Sequence, residues 1–278
     1  MNDGEQNKKE FYKKLKTKEL EVYAEQGDAE AQFNLGACFF NGTGVEQDYK
    51  KAFEWFLKAA EQGDLWAQND LGNCYLDGLG VEKDPLKGVE WITKSAQQGY
   101  ATAQYNLGRC YKDGEGVEQD YKQSVKWYAK AAEQGYSRAQ NNLGLCYEYG
   151  DGVRKNYKKA VEWYRKAAEQ GADIAQYHLA KCYANGSGVN KDLKKAVEWY
   201  AKAAKQGNAF AEFYLGVCYE RGEGVRRNYK KAAEWYTKAA EQGVPEAQYN
   251  LATFYEYGYG VNKNPAKAKE WYSTYRLS

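Results

Sequence analysis

The chain has 278 residues, of which 28% are charged, and its 40 Lys and Arg against 38 Asp and Glu give a net charge of +2. This balance argues against an obligatory polyanion, so no nucleic acid is expected as a partner. No apolar run is long enough for a signal peptide core or a membrane span. We therefore expect a cytoplasmic protein without membrane insertion, while export by a signal-independent route stays open.

One sequence period runs through almost the whole chain. Seven of the eight tryptophans are spaced 36 residues apart, from Trp55 to Trp271. A fixed period of this length is typical of a repeat array, which grows by adding units rather than by enlarging one core. Aligned without gaps, the units are residues 31–66, 67–102, 103–138, 139–174, 175–210, 211–246 and 247–278.

The segment before the first unit, residues 1–30, ends in AEQGDAE, which is the last part of a unit. We expect one capping helix there, from about Phe11 to Gln26. A basic stretch at the very start, Lys8 to Lys16, is interpreted as a solvated face of that helix.

Each unit contains two helical patterns, shown here for residues 103–138. Ala103, Leu107 and Cys110 are spaced three and four apart, which predicts the apolar stripe of a first helix, helix A. Glycines at 114 and 116 suit the left-handed turn that closes a helix. We expect about sixteen helices in the whole chain and no strands.

The second helix of each unit, helix B, is predicted to begin after a capping residue. Asp120 holds this position in the third unit, and the other six units also have Asp or Asn there. Small residues, such as Gly108 on helix A and the alanine pair Ala131 and Ala132 on helix B, are expected to set the distance between helices, with Trp and Tyr filling the spaces. In the last unit Tyr275 and Arg276 replace the alanine pair, which predicts a solvent-facing end.

Six cysteines share one position in the first six units. Equivalent residues of successive units should lie at least ~8 Å apart, whereas a disulfide needs Cα atoms within roughly 7 Å. The cysteines are therefore interpreted as small apolar residues with reduced thiols, which fits a reducing compartment.

The shared text AQxxLGxCYxxGxGVxxDxxKAxxWYxKAAxQG resembles the Sel-1-like repeat, a relative of the tetratricopeptide repeat, over residues 31–278. The resemblance implies an all-α, right-handed superhelix, a solenoid of seven helix-turn-helix repeats. Helix A residues would line its concave surface, and members generally act as adaptors for other proteins. A secreted, cysteine-rich branch is linked to peptidoglycan fragments or β-lactams and carries two cysteines per repeat, whereas this chain has one.

Catalytic chemistry finds little support in the sequence. His178 is the single histidine, at a position that is polar in most units, and no serine shows a paired-base motif. There is no CxxC pair or histidine cluster, and the GxG turns lack the strand and lysine of a phosphate-binding loop. We expect a protein that is not an enzyme and has no cofactor and no metal.

A ligand surface is predicted on the stripe of helix A opposite its core stripe. It starts one residue before the first alanine of each unit and continues four, seven and eleven residues later. Its polar and large side chains vary between units, and Trp, Tyr and Arg are common interface anchors, while asparagines can bond a peptide backbone. The predicted ligand-binding residues are Asn34, Trp66, Asp70, Asn73, Asn106, Arg109, Arg138, Asn142, Tyr149, Ile174, His178, Lys181, Phe210, Tyr214, Arg221 and Asn250.

These residues predict a monomeric scaffold that binds an extended protein or peptide segment. Asp70, Asp77 and Asp113 would face the basic end of such a ligand, and Arg138, Lys181 and Arg221 its acidic end. Two alternatives stay open: a peptidoglycan- or β-lactam-binding protein with weak hydrolase activity, and a consensus-like or engineered array without a natural ligand.

Overall fold

The computed structural model describes residues 17–277, with side chains to residue 275. Within this range there are fifteen α-helices and no strand. In chain order they are α1 (Thr17–Glu25), α2 (Ala29–Asn41), α3 (Tyr49–Glu61), α4 (Leu65–Asp77), α5 (Pro85–Gln97), α6 (Ala101–Asp113), α7 (Tyr121–Glu133), α8 (Ser137–Tyr149), α9 (Tyr157–Glu169), α10 (Asp173–Asn185), α11 (Leu193–Lys205), α12 (Ala209–Arg221), α13 (Tyr229–Glu241), α14 (Pro245–Tyr257) and α15 (Pro265–Leu277).

The helices fall into two compact units. The first contains the described residues up to Ala139 together with 151–153, and the second contains 140–150 and the described residues from Arg154 onward. In both units the even-numbered helices are helix A of a repeat and the odd-numbered helices from α3 onward are helix B. The predicted all-α class and the pairing of helices are confirmed.

Helix A ends where the glycine signal predicted. Gly114 has φ 72°, and its backbone N–H donates to the carbonyl of Cys110, which closes α6. The second glycine has a packing role as well, because a Cβ on Gly116 would lie 2.1 Å from the carbonyl oxygen of Pro85 in the preceding repeat. In the second unit Gly224 meets Leu193 in the same way. Each loop therefore rests on the first turn of the preceding helix B.

The predicted helix B caps are all present. The Asp120 side chain accepts hydrogen bonds from the backbone N–H groups of Lys122 and Gln123. The residues that cap a helix B in this way are Asp48, Asp84, Asp120, Asn156, Asp192, Asn228 and Asn264. Such a cap stabilises a helix by about 1 kcal/mol.

The core of most repeats is a glycine of helix A packed against a ring of helix B. A Cβ on Gly108 would lie 2.7 Å from the Tyr128 ring, and one on Gly144 would lie 2.5 Å from the Tyr164 ring. Both tyrosines are fully buried. The prediction that small residues set the helix distance is confirmed, and the aromatic ring that uses the space is tyrosine.

The periodic tryptophans pack between layers, as expected. Trp199 is half-buried and contacts two core clusters, and Trp127 is a buried member of a core cluster. A lysine three residues later covers each ring from α3 to α13, with the Lys166 nitrogen 4.0 Å from the Trp163 ring centroid. A cation over an aromatic face gains about 0.5–1 kcal/mol at an exposed site.

A buried glutamine brace joins each helix A to two helix B ends, and the sequence analysis missed it. Gln104 donates to the carbonyl of Ala96 at 3.2 Å and accepts from Gln134 Nε2 at 2.8 Å. The residues that donate to a carbonyl eight positions earlier in this way are Gln32, Gln68, Gln104, Gln176 and Gln248. Buried polar groups of this kind cost free energy unless they are hydrogen-bonded, so the brace fixes the helix contact.

Glu212 occupies the brace position in the sixth repeat, and its carboxylate accepts from Gln242 Nε2 at 2.7 Å. Burial raises the pKa of Glu212 above its ordinary value of 4.5. We expect Glu212→Gln to raise the free energy of unfolding by about 1 kcal/mol at pH 7, because an amide can also donate to the carbonyl eight residues earlier. Urea unfolding of both proteins measures this.

The pH dependence of that gain has a definite sign. A carboxyl whose pKa is higher in the folded state costs stability when it is ionised, and the cost disappears below its unfolded pKa. The advantage of Glu212→Gln should therefore shrink as the pH falls toward 4.5 and be largely lost below it. An advantage that is unchanged at pH 4 would contradict the burial of this charge.

The start of the chain agrees with the predicted capping helix where it is described. Leu20 and Ala24 of α1 are buried in the core cluster that also contains Ala31 and Leu35. Positions 11–16 of that helix, and the basic stretch before residue 17, lie outside the described residues. At the other end Tyr275 is exposed, as predicted, and the side chain of Arg276 lies outside the described range. Among the helices described, none combines the length and the apolar character that crossing a membrane requires.

Candidate functional site

The predicted ligand stripe lies on the even-numbered helices, and its residues in the first unit are more engaged than expected. The ring of Trp66 is half-buried, with its centroid 6.2 Å from that of Phe33 and 6.2 Å from that of Tyr100. Trp66 therefore contributes to the packing of its own unit while it presents part of its ring to solvent.

A hydrogen-bonded chain of polar groups runs beside Trp66. Asn106 Nδ2 donates to Asn69 Oδ1 at 2.9 Å, and Asn69 Nδ2 donates to Asp70 Oδ1 at 2.8 Å. Asn69 is buried, and burial raises the pKa of Asp70 to about 6. Two residues predicted for ligand contact, Asp70 and Asn106, are thus held in place by a third that was not predicted.

The other stripe residues of the first unit differ in how free they are. Asn34 Nδ2 donates to the carbonyl of Glu30 in its own helix at 2.7 Å. Asn73 is half-buried, whereas Arg109 and Arg138 are exposed. The amide nitrogen of Asn34 is therefore already used, and the two arginines are the side chains most available to a ligand.

In the second unit one stripe position covers the buried tyrosine of the preceding repeat. His178 stacks on Tyr164, with ring centroids 5.0 Å apart and an interplanar angle of 15°. Tyr214 stacks on Tyr200 at 5.5 Å and 10°. Asn250 has the same position and hydrogen-bonds with the Tyr236 side chain. This position therefore has a structural role in addition to its place on the stripe.

Large apolar side chains are exposed one turn away. Ile174 is 53% exposed, Phe210 55% and Tyr149 57%. Tyr177 connects them to the rest of the surface, with its ring centroid 6.0 Å from that of Phe210 and 5.9 Å from that of Tyr214. We call the surface formed by Ile174, Tyr177, His178, Phe210 and Tyr214 the aromatic patch.

The remaining stripe residues of the second unit are polar. Asn142 is half-buried, and its Oδ1 atom accepts a hydrogen bond from Asn141 Nδ2 at 3.4 Å. Lys181 is half-buried, and Arg221 lies 3.8 Å from the carboxylate of Glu223. These residues do not form a common network, so they supply individual polar contacts around the aromatic patch.

Three glutamates of A helices accept hydrogen bonds from tyrosines of the following B helices. Tyr164 donates to Glu148 at 2.6 Å, Tyr272 donates to Glu256 at 2.8 Å, and Tyr236 donates to Glu220. None of these glutamates is among the residues predicted for the ligand surface. A signal was present, since these glutamates stand nine residues after the first alanine of units whose helix B has tyrosine at the core position.

Burial lowers the pKa of His178 to about 4, and its Nδ1 atom is buried without a hydrogen-bond partner among the described residues. A base whose pKa is lower in the folded state costs stability as the pH falls below its unfolded value of 6.5. We expect wild-type protein to lose roughly 2 kcal/mol relative to His178→Asn between pH 7 and pH 4. Parallel unfolding curves at both pH values measure this, and an equal change in the two proteins would contradict it.

The cysteines offer no reactive thiol. In the described part of the chain none is joined in a disulfide, and burial raises the pKa of Cys110 and Cys182 to about 12. A thiol with so high a pKa is almost entirely protonated at neutral pH, and the thiolate is the reactive form. Over residues 17–277 there is also no group of three or more His, Cys, Asp or Glu that could hold a metal ion.

Paired helices with left-handed glycine stops, capped second helices and a repeated core define a helical repeat protein. The Sel1 repeat model matches residues 29–64, 67–100, 101–136, 137–171, 173–208, 209–244 and 245–274. The chain belongs to the Sel1 repeat family. The unit boundaries drawn from the tryptophan period remain a prediction, as does the handedness of the superhelix.

Two solved structures are similar over most of this chain. A protective antigen of uropathogenic Escherichia coli with an SLR fold is 39% identical, with a TM-score of 0.87 over 95% of this chain and 56% of its own. This chain thus spans little more than half of that antigen. A Sel1 repeat protein from Oxalobacter formigenes is 35% identical, with a TM-score of 0.79 over 88% of this chain and 96% of its own.

A more distant match shares the fold alone. A signal-transduction ATPase with a tetratricopeptide repeat sensor from Pyrococcus horikoshii is 16% identical, with a TM-score of 0.57 over 91% of this chain and 42% of its own. Comparison with curated proteins gives no match. The Sel1 repeat match and the two structures of 35% and 39% identity agree with a protein-interaction repeat scaffold.

Proposed function

We propose that this protein is a non-catalytic scaffold that binds an extended segment of a partner protein along the helix A stripe. The observation that carries the proposal is the exposure of Ile174 and Phe210, each more than half exposed on consecutive A helices. Exposed apolar side chains that cluster beside polar groups are typical of protein interaction sites. Burying the two against a partner would contribute about 1.5–3 kcal/mol for each fully covered side chain.

The aromatic patch gives this contact a fixed shape. Tyr214 is held against Tyr200, and Tyr177 lies between Phe210 and Tyr214. Rings that are already ordered lose little conformational entropy on binding, so they serve well as anchors. Lys181 and Arg221 border the patch and would meet an acidic or carbonyl-rich part of the ligand.

The first unit would bind a segment of different character. Asp70 is held by Asn69, and the half-buried ring of Trp66 lies on the same helix. A ligand cation beside Asp70 would favour its ionised form and lower its pKa. A segment with a basic or amide side chain therefore suits this surface.

The absence of catalysis is part of the proposal. His178, the single histidine, is stacked on a ring and has a pKa near 4, so it is a poor general base at neutral pH. The reduced cysteines with high pKa values support a reducing compartment such as the cytoplasm. No described feature favours β-lactam or peptidoglycan chemistry over binding.

Affinity capture from a cell lysate tests the proposal with a matched pair of variants. Ile174→Ser with Phe210→Ser removes the exposed apolar side chains of the stripe. Leu86→Ser removes a side chain that is 68% exposed on a helix B. We expect a partner that the wild type and Leu86→Ser retain and that the stripe variant loses. Equal capture by all three proteins would show that the stripe is not the binding surface.

A further inference from the structure

The near-zero net charge hides an uneven distribution at one edge of the repeats. This edge consists of the end of each A–B loop and the first turn of helix B. In the first three repeats it is residues 46–51, 82–87 and 118–123, with six acidic and five basic side chains. In the last four repeats it is residues 154–159, 190–195, 226–231 and 262–267, with thirteen basic side chains and one acidic. We call the latter group the basic edge.

Equivalent positions change sign between the two groups. The residue two positions before the helix B cap is Glu46, Glu82 and Glu118 in the first three repeats. In the last four it is Arg154, Asn190, Arg226 and Asn262. All thirteen basic side chains of the basic edge are exposed. Since the repeat fold accepts either charge at this position, folding alone does not require the basic residues.

The chain itself shows what such a lysine binds. Lys51, Lys87 and Lys195 each stand three residues after a capping aspartate. Their Nζ atoms lie 3.8, 3.0 and 3.5 Å from the carboxylates of these aspartates. These aspartates are Asp48, Asp84 and Asp192. The lysine of the first helix B turn is therefore positioned to pair with a carboxylate.

In three repeats of the basic edge that carboxylate is replaced by an amide. The caps are Asn156, Asn228 and Asn264, and their side chains are used by backbone N–H groups. The corresponding lysines are still held over a ring, with Lys159 Nζ 5.2 Å from the Tyr147 centroid and Lys231 Nζ 5.2 Å from that of Tyr219. No carboxylate of the described chain pairs with their ammonium groups.

The last repeat adds a concave surface at the same place. An open recess of about 620 Å³ is lined by residues that include Tyr255, Val261, Asn264 and Lys267. Lys267 Nζ lies 5.3 Å from the Tyr255 ring centroid. A carboxylate entering this recess would meet the exposed ammonium group of Lys267, whose neighbouring cap is the uncharged Asn264.

From the charge reversal, the amide caps and the recess, we infer that the basic edge binds an acidic segment of a partner protein through its carboxylates. Consecutive repeats contact each other along this edge, as Gly188 on Tyr157 and Gly260 on Tyr229 show. Four repeats at ~9 Å each match about 8–10 residues of extended chain. The inference is independent of the helix A stripe, because it uses other residues at the start of helix B.

The test uses a fluorescent peptide of twelve glutamates, with anisotropy measured at 50 and 200 mM salt. The edge variant combines Arg154→Glu, Lys159→Gln, Arg226→Glu and Lys231→Gln, all of which are residues found at the same positions in the first three repeats. The control variant combines Lys50→Glu, Lys51→Gln, Lys87→Gln and Lys122→Glu. It lowers the net charge equally but on the first unit. Circular dichroism checks that both variants keep the helical content of the wild type.

We expect the edge variant to weaken binding at least tenfold and the control variant less than threefold, with weaker binding at higher salt. Equal losses in both variants would overturn the inference, because binding would then follow net charge alone. Absence of binding to the wild type at 50 mM salt would overturn it as well. A single-stranded oligonucleotide of twelve nucleotides that binds more tightly than the peptide would show that the partner is a nucleic acid instead.

Discussion

Replacing Gln104 by leucine should lower the free energy of unfolding by about 1–3 kcal/mol. The buried amide of Gln104 bonds both the carbonyl of Ala96 and the side chain of Gln134, so leucine would remove two hydrogen bonds that join consecutive repeats. The Ala96 carbonyl would keep its bond from the Gly99 N–H, and leucine keeps most of the buried volume, so the cost is that of the two lost bonds. Urea unfolding followed by circular dichroism measures the change.

Gln119→Leu is the matched control for this prediction. Gln119 Nε2 donates to the carbonyl of Lys112 at 2.8 Å, but this bond is exposed, and water can replace it. We expect a change of less than about 1 kcal/mol. If Gln104→Leu were as mild as Gln119→Leu, the brace would not be a determinant of the repeat contact.

The second large effect is expected from Gly144→Leu, which should cost about 3 kcal/mol or more. Even a Cβ at this position would lie 2.5 Å from the Tyr164 ring, which is fully buried and bonded to Glu148. A leucine would force α8 away from α9 or turn the ring out of the core. The same unfolding measurement applies, and a parallel loss of near-ultraviolet dichroism would report the displaced tyrosine.

An alanine at the same position separates overpacking from any other effect of the change. Ala180 and Ala252 stand at the equivalent positions of the fifth and seventh repeats and are buried. Alanine also favours a helix over glycine by about 1 kcal/mol. Gly144→Ala should therefore stay within about 1 kcal/mol of the wild type. A leucine variant that is equally stable would show that the ring has room to move.

Most of the fold could be predicted because the same residue types recur at the same positions in seven repeats. The glycine stops, the helix B caps and the small-residue contact each depend on local backbone chemistry, and all three are found. The period also identifies the tryptophans that pack between layers, although it does not show how deep each one lies. The glutamine brace was missed because a glutamine next to the core stripe is expected to be a polar surface residue. Its burial depends on hydrogen-bond partners in other helices.

The candidate site was less predictable, because residue spacing shows which face of helix A a side chain lies on but not which residues it contacts. Ile174 and Phe210 are exposed as expected, but Trp66 and His178 contact neighbouring rings that belong to other helices. Residue spacing within one helix cannot show such contacts, since they depend on how the next repeat is placed. Likewise residue spacing does not show that Glu148 accepts a hydrogen bond from Tyr164, since that tyrosine lies on the next helix.

Photocrosslinking from a single stripe position would test most directly whether the helix A stripe is the binding surface. A photoreactive phenylalanine analogue would replace Phe210 in one protein and Leu86 in another, both at exposed positions, and each would be illuminated in cells that produce the protein. The scaffold proposal predicts a discrete partner adduct from position 210 and none from position 86. Adducts from position 86, or equal adducts from both, would contradict it.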